Sequence, residues 1–283
     1  MRIGIGLPNQ VRDVHAPVLP AWARRAEEAG FAALGTTGRI AYPGVMDTVA
    51  LAAAAGATTT ISLLSQVLVA TTWPRTLLAK EAASIDAVSG GRLTLGIGVG
   101  IREDDFVVPG HGPRDRGVRM DRDLETYRSI WAGDPVPGSP NPAVPAGGRQ
   151  VPLLFGGTTP AAYRRMASSS DGYIAGSVPA AMASGAFDAA RAAGRGAGRP
   201  GQPRLVALNY FALGDPERGR ANISDYYAAT GEYQDLVVGN VHTDAASLLD
   251  SIRRFEALGV DELILGPGTD DLDEVSRLAD IVL

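Results

Sequence analysis

The sequence predicts an α/β fold closed into a (β/α)₈ TIM barrel, and three observations carry that prediction. Eight short apolar or β-branched runs, near residues 2–7, 31–36, 60–69, 92–99, 151–156, 171–177, 204–213 and 260–266, alternate with helical stretches, the pattern of parallel βα units. The 283 residues give those eight units the length that a closed barrel takes. The intervening helices also carry their own start and stop residues. A doubly wound open sheet is the alternative, and strand count with length favours closure. The whole chain, 1–283, is read as one barrel domain with an excursion after strand seven.

The elements follow in order. The first helix, Ala21 to Ala29, ends at Gly30, and Asp47 precedes an Ala-rich run to Ala55. Pro74 sits in the first turn of a helix reaching Val88, where Leu78, Ala82 and Ile85 form an inward stripe. Strand five runs straight into Gly156-Gly157-Thr158-Thr159-Pro160, with Thr159 suited to the N-cap and Pro160 to the first helical position. Thr243 precedes a helix closed by Gly259, and Asp270, Asp271 and Asp273 crowd the first turn of the last one. Two stretches break the rhythm. The proline-rich 133–150 follows a helix and precedes a strand, which places it on the face away from the barrel mouth. The excursion 214–242, with Tyr226, Tyr227 and Tyr233, follows strand seven and rises over the mouth as a lid.

Composition narrows the function. There are 26 Lys plus Arg against 31 Asp plus Glu, a net charge of −5, so no basic surplus exists for nucleic acid. With no cysteine and three histidines, His15, His111 and His242, a thiolate or zinc site and a cysteine nucleophile are not expected. MRIGIGLPNQ is too short and too soon interrupted by Pro8 for a signal peptide, and no apolar stretch reaches bilayer length, so no membrane association is expected and the location is read as cytoplasmic.

The segment LTLGIGVG, residues 93–100, puts Gly96, Gly98 and Gly100 on one face of strand four. Such a bare face makes room either for bulky neighbours in the barrel core or for a ligand. Gly96, deeper in, is assigned to the core, and Gly98 and Gly100, near the strand end, to a ligand. A dinucleotide fingerprint is not satisfied, because Glu103 stands where the last glycine belongs. After strand five, Gly156, Gly157, Thr158 and Thr159 offer free N–H groups, a hydroxyl and a helix N-terminus, so a phosphate is expected there. The loops LGDPER and LGPGTDD after strands seven and eight carry aspartates that repel an anion.

Four segments together resemble the bacterial luciferase-like family of flavin-dependent oxidoreductases: AEEAGFAALGTTGR (26–39), LLAKEAASIDAVSGGRLTLGIGVG (77–100), VPLLFGGTTPAAYRRMASSSDGYIAGS (151–177) and TDAASLLDSIRRFEALGVDELIL (243–265). The resemblance implies a barrel that holds FMN or the deazaflavin F420 at its mouth, works on a small organic substrate and forms a homo-oligomer, expected as a homodimer. Reduced flavin then activates O₂, or F420 exchanges hydride. A flavin-dependent monooxygenase is the leading reading; F420-dependent dehydrogenation or reduction and a non-catalytic flavin-binding barrel are its rivals. A flavin or F420 reductase is the expected electron source. The cofactor positions it implies are Thr37, Gln66, Val67, Gly98, Gly100, Gly156, Gly157, Thr158, Thr159 and Ser177. F420-binding relatives carry a non-prolyl cis peptide in strand three, which predicts a cis bond between Gln66 and Val67.

The sequence departs from the family at the end of strand two, where a Ser-Asp-His type sequence is replaced by Thr37-Gly38-Arg39, and after strand four, where Ile101 replaces an acid. Arg39 stays protonated and cannot act as a general base. Its expected role is to stabilise negative charge, with Arg39→Ala lowering turnover and leaving the melting temperature unchanged. His111, in the loop after strand four, is the expected proton donor or acceptor. Trp73, Tyr226 and Tyr227 are expected to wall the substrate pocket.

Overall fold

In the computed structural model, which describes residues 1–145 and 148–283, the first strand β1 (Arg2–Gly6) lies between β2 (Ala33–Thr36) and β9 (Glu262–Pro267), all parallel. From β2 the sheet continues through β3 (Ser62–Ser65) to β5 (Leu93–Gly98). From β9 it runs back through β8 (Arg204–Phe211), β7 (Gly172–Ile174) and β6 (Leu153–Gly156) to the same β5. The sheet is therefore closed. A two-residue strand, β4 (Leu68–Val69), also pairs with β5 and is the upper half of the third barrel strand, so the nine strands fill eight barrel positions. Gln66 and Val67 separate the halves, and the peptide bond between them is cis, as the sequence predicts.

The barrel interior is a layer of Ala33, Leu64, Leu154, Ile174, Val206 and Ile264, with Val67 packed on top. Large side chains there face missing ones. A Cβ on Gly96 would strike the Ser65 carbonyl oxygen and stand 2.5 Å from Ile174 Cδ1. Gly96 thus serves the core, as expected. At the lower end, fully buried Glu262 pairs with Arg204 and, at 3.3 Å, with Arg2, which neutralises the carboxylate that β9 carries inward.

Outside the barrel, Leu93, Leu95 and Ile97 of β5 are buried in the layer beneath the helices. Leu78, Ala82 and Ile85 of α3 (Arg75–Val88) supply its inward stripe. The neighbouring helices are α1 (Val18–Ala29), which stops at Gly30 with φ +97°, α2 (Asp47–Ala57), and α4 (Arg116–Trp131). After β6 comes α5 (Pro160–Ser169), whose first free N–H groups are met by Thr159 accepting from the Ala162 N–H at 3.2 Å. Beyond it are α6 (Ala180–Gly196) and the excursion helices α7 (Pro216–Tyr227) and α8 (Glu232–Gly239). The chain finishes with α9 (Ala245–Ala257) and α10 (Glu274–Val282). The cap of α9 is Asp244, one residue beyond the predicted Thr243, because its carboxylate accepts the Ser247 N–H at 2.8 Å.

The proline-rich stretch lies at the N-terminal ends of the strands, tied by Lys80 Nζ donating to the Ala143 carbonyl and by a bidentate Arg149–Asp86 pair. Residues 146 and 147 of that stretch lie outside the described residues. Among the described residues no helix is long and apolar enough to cross a membrane.

Gly96→Ala tests the packing of the barrel interior. The new methyl meets backbone that cannot step aside, so the variant is expected to lose about 1–3 kcal/mol of stability or more. Urea or thermal unfolding reads the loss.

Candidate functional site

The C-terminal ends of the strands surround a cavity of about 600 Å³, within the range of small-molecule and cofactor sites. Its floor is Val67. With the third strand bulged at Gln66-Val67, the valine methyls fill the space that side chains at positions 98 and 156 would need: a Cβ on Gly98 or Gly156 would lie 3.1 Å from them. This corrects the reading of the glycine face. The group lying against Gly98 is Val67, and a Cβ on Gly100, where φ is +76°, would come within 2.6 Å of Val69 and 3.0 Å of Phe106. Both glycines line the cavity, but Val67, which lies against Gly98 and Gly156, covers the bare face there.

One end of the cavity is the β6–α5 turn. Gly157 has φ +116°, a conformation that a side chain disfavours, and it swings the chain so that Thr158 and Thr159 border the cavity. Among the described residues neither of their backbone N–H groups meets a backbone acceptor. The α5 N-terminus adds its dipole, and Arg165, paired with Asp121 at 2.6 Å, adds charge nearby. This is a cradle for an anion.

The opposite wall is aromatic and comes from the excursion. Tyr226 and Tyr227 stack edge to face at 5.1 Å, Tyr227 meets Tyr233 at 5.6 Å, and Tyr42 backs Tyr226 at 5.1 Å. Burial pushes the Tyr226 hydroxyl up to about 12 and raises Tyr227 and Tyr233 as well. All three therefore keep their protons at neutral pH and act as hydrogen-bond donors. Between floor and wall, the buried Thr37 Oγ1, Gln66 Nε2 and Ser177 Oγ have no hydrogen-bond partner among the described residues, and all three residues line the cavity. Buried polar atoms are nearly always paired, so three orphans on one cavity wall fit the polar edge of a ligand.

The structure brings together Thr37, Gln66, Val67, Gly98, Gly100, Gly156, Gly157, Thr158, Thr159, Ser177, Tyr226 and Tyr227 around this cavity. Three other expected residues stand apart. Arg39 lies behind the wall, its side chain only 5% exposed, because it is held by Asp104, by Asp105 at 3.5 Å and by the Tyr226 carbonyl at 3.1 Å. His111 turns away on an exposed loop, its Nδ1 3.1 Å from the Pro109 carbonyl. Trp73 is half-buried against the outer core, just before α3. His242 is buried beside Asn209 at 3.3 Å and also lies off the cavity lining.

Sequence reasoning missed Arg102, Arg116 and Asp105, which line the cavity, and placed Tyr233 in the lid without naming it as a pocket residue. For Arg102 a signal existed, since it stands two residues past the last glycine of the bare face. A further carboxyl, Asp47, is pushed up to about 6 by complete burial, but it sits behind Gly38, where it would clash with any side chain.

An apolar floor, a donor-rich aromatic wall and the free N–H groups of the β6–α5 turn meet at the mouth of a parallel α/β barrel. The chain belongs to the luciferase-like monooxygenase family, whose pattern matches residues 1–268. An uncharacterized protein of Mycobacterium tuberculosis is 31% identical over 185 residues, which cover 54% of this chain and 63% of that protein, so the chain spans less than two thirds of this curated relative's length. An F420-dependent secondary alcohol dehydrogenase, solved with an F420–acetone adduct, superposes with a TM-score of 0.82 at 17% identity, over 99% of this chain and 98% of its own. The oxygenating constituent of 3,6-diketocamphane monooxygenase of Pseudomonas putida, solved with FMN, gives 0.75 at 15% identity, over 99% and 95%. At these identities the structures share the fold.

Two variants test the site. Arg39→Ala leaves buried Asp105 without its cation, so, against the sequence-based expectation of an unchanged melting temperature, stability should fall by about 3 kcal/mol. In a chain of this size that lowers Tm by roughly 6 °C or more. Thr158→Glu sets a negative charge in the cradle and should weaken FMN and F420 binding about tenfold or more while Tm holds, read by fluorescence titration.

Proposed function

We propose that the chain is a flavin-dependent monooxygenase that takes reduced FMN and a small organic substrate into the same cavity. The carrying observation is the chemistry of the cavity wall. It offers an anion cradle at Gly156 to Thr159, an apolar floor at Val67 and orphaned donors at Gln66, Thr37 and Ser177, a set that matches the phosphate, planar ring and polar edge of a flavin. Among the described residues that line it there is no imidazole. The carboxylate Asp105 is engaged by the Ile40 and Ala41 N–H groups at 3.0 and 3.3 Å and by Arg39.

Bound in reduced form, FMN supplies the electrons with which O₂ oxidises the substrate. The chain's own residues then bind, orient and keep out water. The tyrosine wall closes the cavity over apolar surface, and its hydroxyls donate hydrogen bonds without releasing protons. Withdrawing a proton from an alcohol calls for a free base, and the one lining carboxylate, Asp105, is already taken up by two backbone N–H groups and Arg39. That favours oxygenation over alcohol oxidation. A separate flavin reductase as electron source belongs to the same reading.

A second reading is F420-dependent reduction of a carbonyl or alkene, favoured by Tyr226 and Tyr227, whose protonated hydroxyls can donate hydrogen bonds to a carbonyl oxygen as it takes up hydride. The family likeness to proteins solved with F420 and with FMN supports either cofactor.

Purified protein titrated with FMN, FAD and F420 is expected to bind FMN saturably. Reduced FMN, labelled O₂ and a panel of small ketones, aldehydes and alkenes should then yield labelled product by mass spectrometry. Oxidation of reduced F420 by the panel without O₂ establishes the second reading. Flavin that binds yet is never reoxidised faster marks a non-catalytic barrel, and failure of all three cofactors to bind overturns the proposal.

A further inference from the structure

We infer that Arg102 is the substrate anchor of the cavity and that the substrate it selects is a small organic carboxylate; the inference rests on the reading of the cavity as a chamber shared by cofactor and substrate. Arg102 leaves the end of β5 and lines the cavity. Its guanidinium carbon lies 5.1 Å from the Tyr226 ring centroid and 5.0 Å from that of Tyr227. Contact with two rings set at 72° to one another confines the guanidinium to the corner between them and leaves its N–H groups for a partner.

No such partner exists among the described residues. Arg102 forms no ion pair there, its side chain makes no hydrogen bond, and Nε is buried without an acceptor. The neighbouring cations differ in this respect. Arg39 has Asp104, Asp105 and the Tyr226 carbonyl. Arg165 holds Asp121 through two nitrogens, at 2.6 and 3.0 Å, and the Gly117 carbonyl at 2.9 Å. Arg116 donates to the Pro113 carbonyl at 3.3 Å and covers Phe106. Of the three acids that follow Arg102 in sequence, Asp104 and Asp105 are paired with Arg39, and Glu103 is exposed and forms no ion pair among the described residues. Partial burial of a cation is costly, and the two aromatic faces with the nearby charge of Asp105 offset only part of that cost, since neither gives its N–H groups an acceptor.

The ligand chemistry follows from the geometry. A planar fork of donors matches the two oxygens of a carboxylate, and the stacked rings beside it suit a compact apolar body. The cofactor phosphate has its own place at the β6–α5 turn. The carboxylate therefore belongs to the substrate, and its remainder is directed along the tyrosine wall toward the Val67 floor.

The test uses phenylacetate and its uncharged amide as probes, titrated calorimetrically into the FMN-loaded protein and into the protein alone. Wild type is expected to prefer the carboxylate about tenfold or more. Arg102→Met should abolish that preference and leave FMN affinity and Tm unchanged, and Arg102→Lys should restore part of it. Equal binding of the two probes to wild type, or a preference that survives in Arg102→Met, overturns the inference. Loss of FMN affinity in Arg102→Met, with the probes bound equally, overturns it too and gives the cation to the cofactor. If FMN fails to bind wild type while the carboxylate preference is present and depends on Arg102, the anchor stands and the flavin reading falls.

Discussion

The architecture of the site depends on how the third barrel strand closes the sheet. Its lower half, β3, and its upper half, β4, each pair with β5, and the two residues between them cannot stay in the plane of the barrel. They bulge inward. Val67 then occupies the centre of the mouth, and the strands facing it must give up their side chains, which is why Gly98 and Gly156 are bare where they meet it. Deeper down, Gly96 yields to the Ser65 carbonyl at the end of β3 by the same logic. A single distortion in one strand thus sets the floor of the cavity, the glycines around it and the depth to which a ligand can enter.

On the other side, charge organises the wall. Arg39 gathers Asp104 and Asp105 together and, through the Tyr226 carbonyl, holds the end of α7 against the loop after β2. Arg12 and Tyr42 do the same from outside by binding Asp225 at 2.7 and 2.6 Å. Tyrosines that would otherwise be mobile surface groups are fixed by cations stacked on them and carboxylates bound beside them. Because Arg39 absorbs the local negative charge, the second arginine faces the cavity with its own charge intact.

How much of this was legible in the sequence follows from the range of the interactions. Strand and helix periods, the Thr159 cap and the Gly156-Gly157 turn are local chemistry, and they were read correctly. The bulge was legible through family likeness, at Gln66 and Val67. What fills the bare face of β5 at Gly98 was not, since the answer is Val67, 31 positions away at the bulge of a different strand. The exchange of roles between Arg39 and Arg102 was hidden for the same reason: Asp104 and Asp105 are neighbours of Arg102 in the chain but partners of Arg39 in space. His111 drew attention as the histidine of the loop after β5, and composition alone could not show that its ring turns outward.

The excursion α7–α8 has a consequence for how such a protein diversifies. The half of the cavity around Val67 is built from strand ends and from the β6–α5 turn, all committed to the barrel's own packing. The tyrosine half is one continuous stretch, 214–242, inserted between β8 and α9, packed through Ile223, Tyr226, Tyr227 and Val237 onto Leu208 and Tyr210 of β8 and tied further by ion pairs and hydrogen bonds. Selection acting on that insertion can exchange the chemistry of recognition wholesale while the machinery beneath it stays in place. The chamber is in effect a fixed socket with a replaceable faceplate.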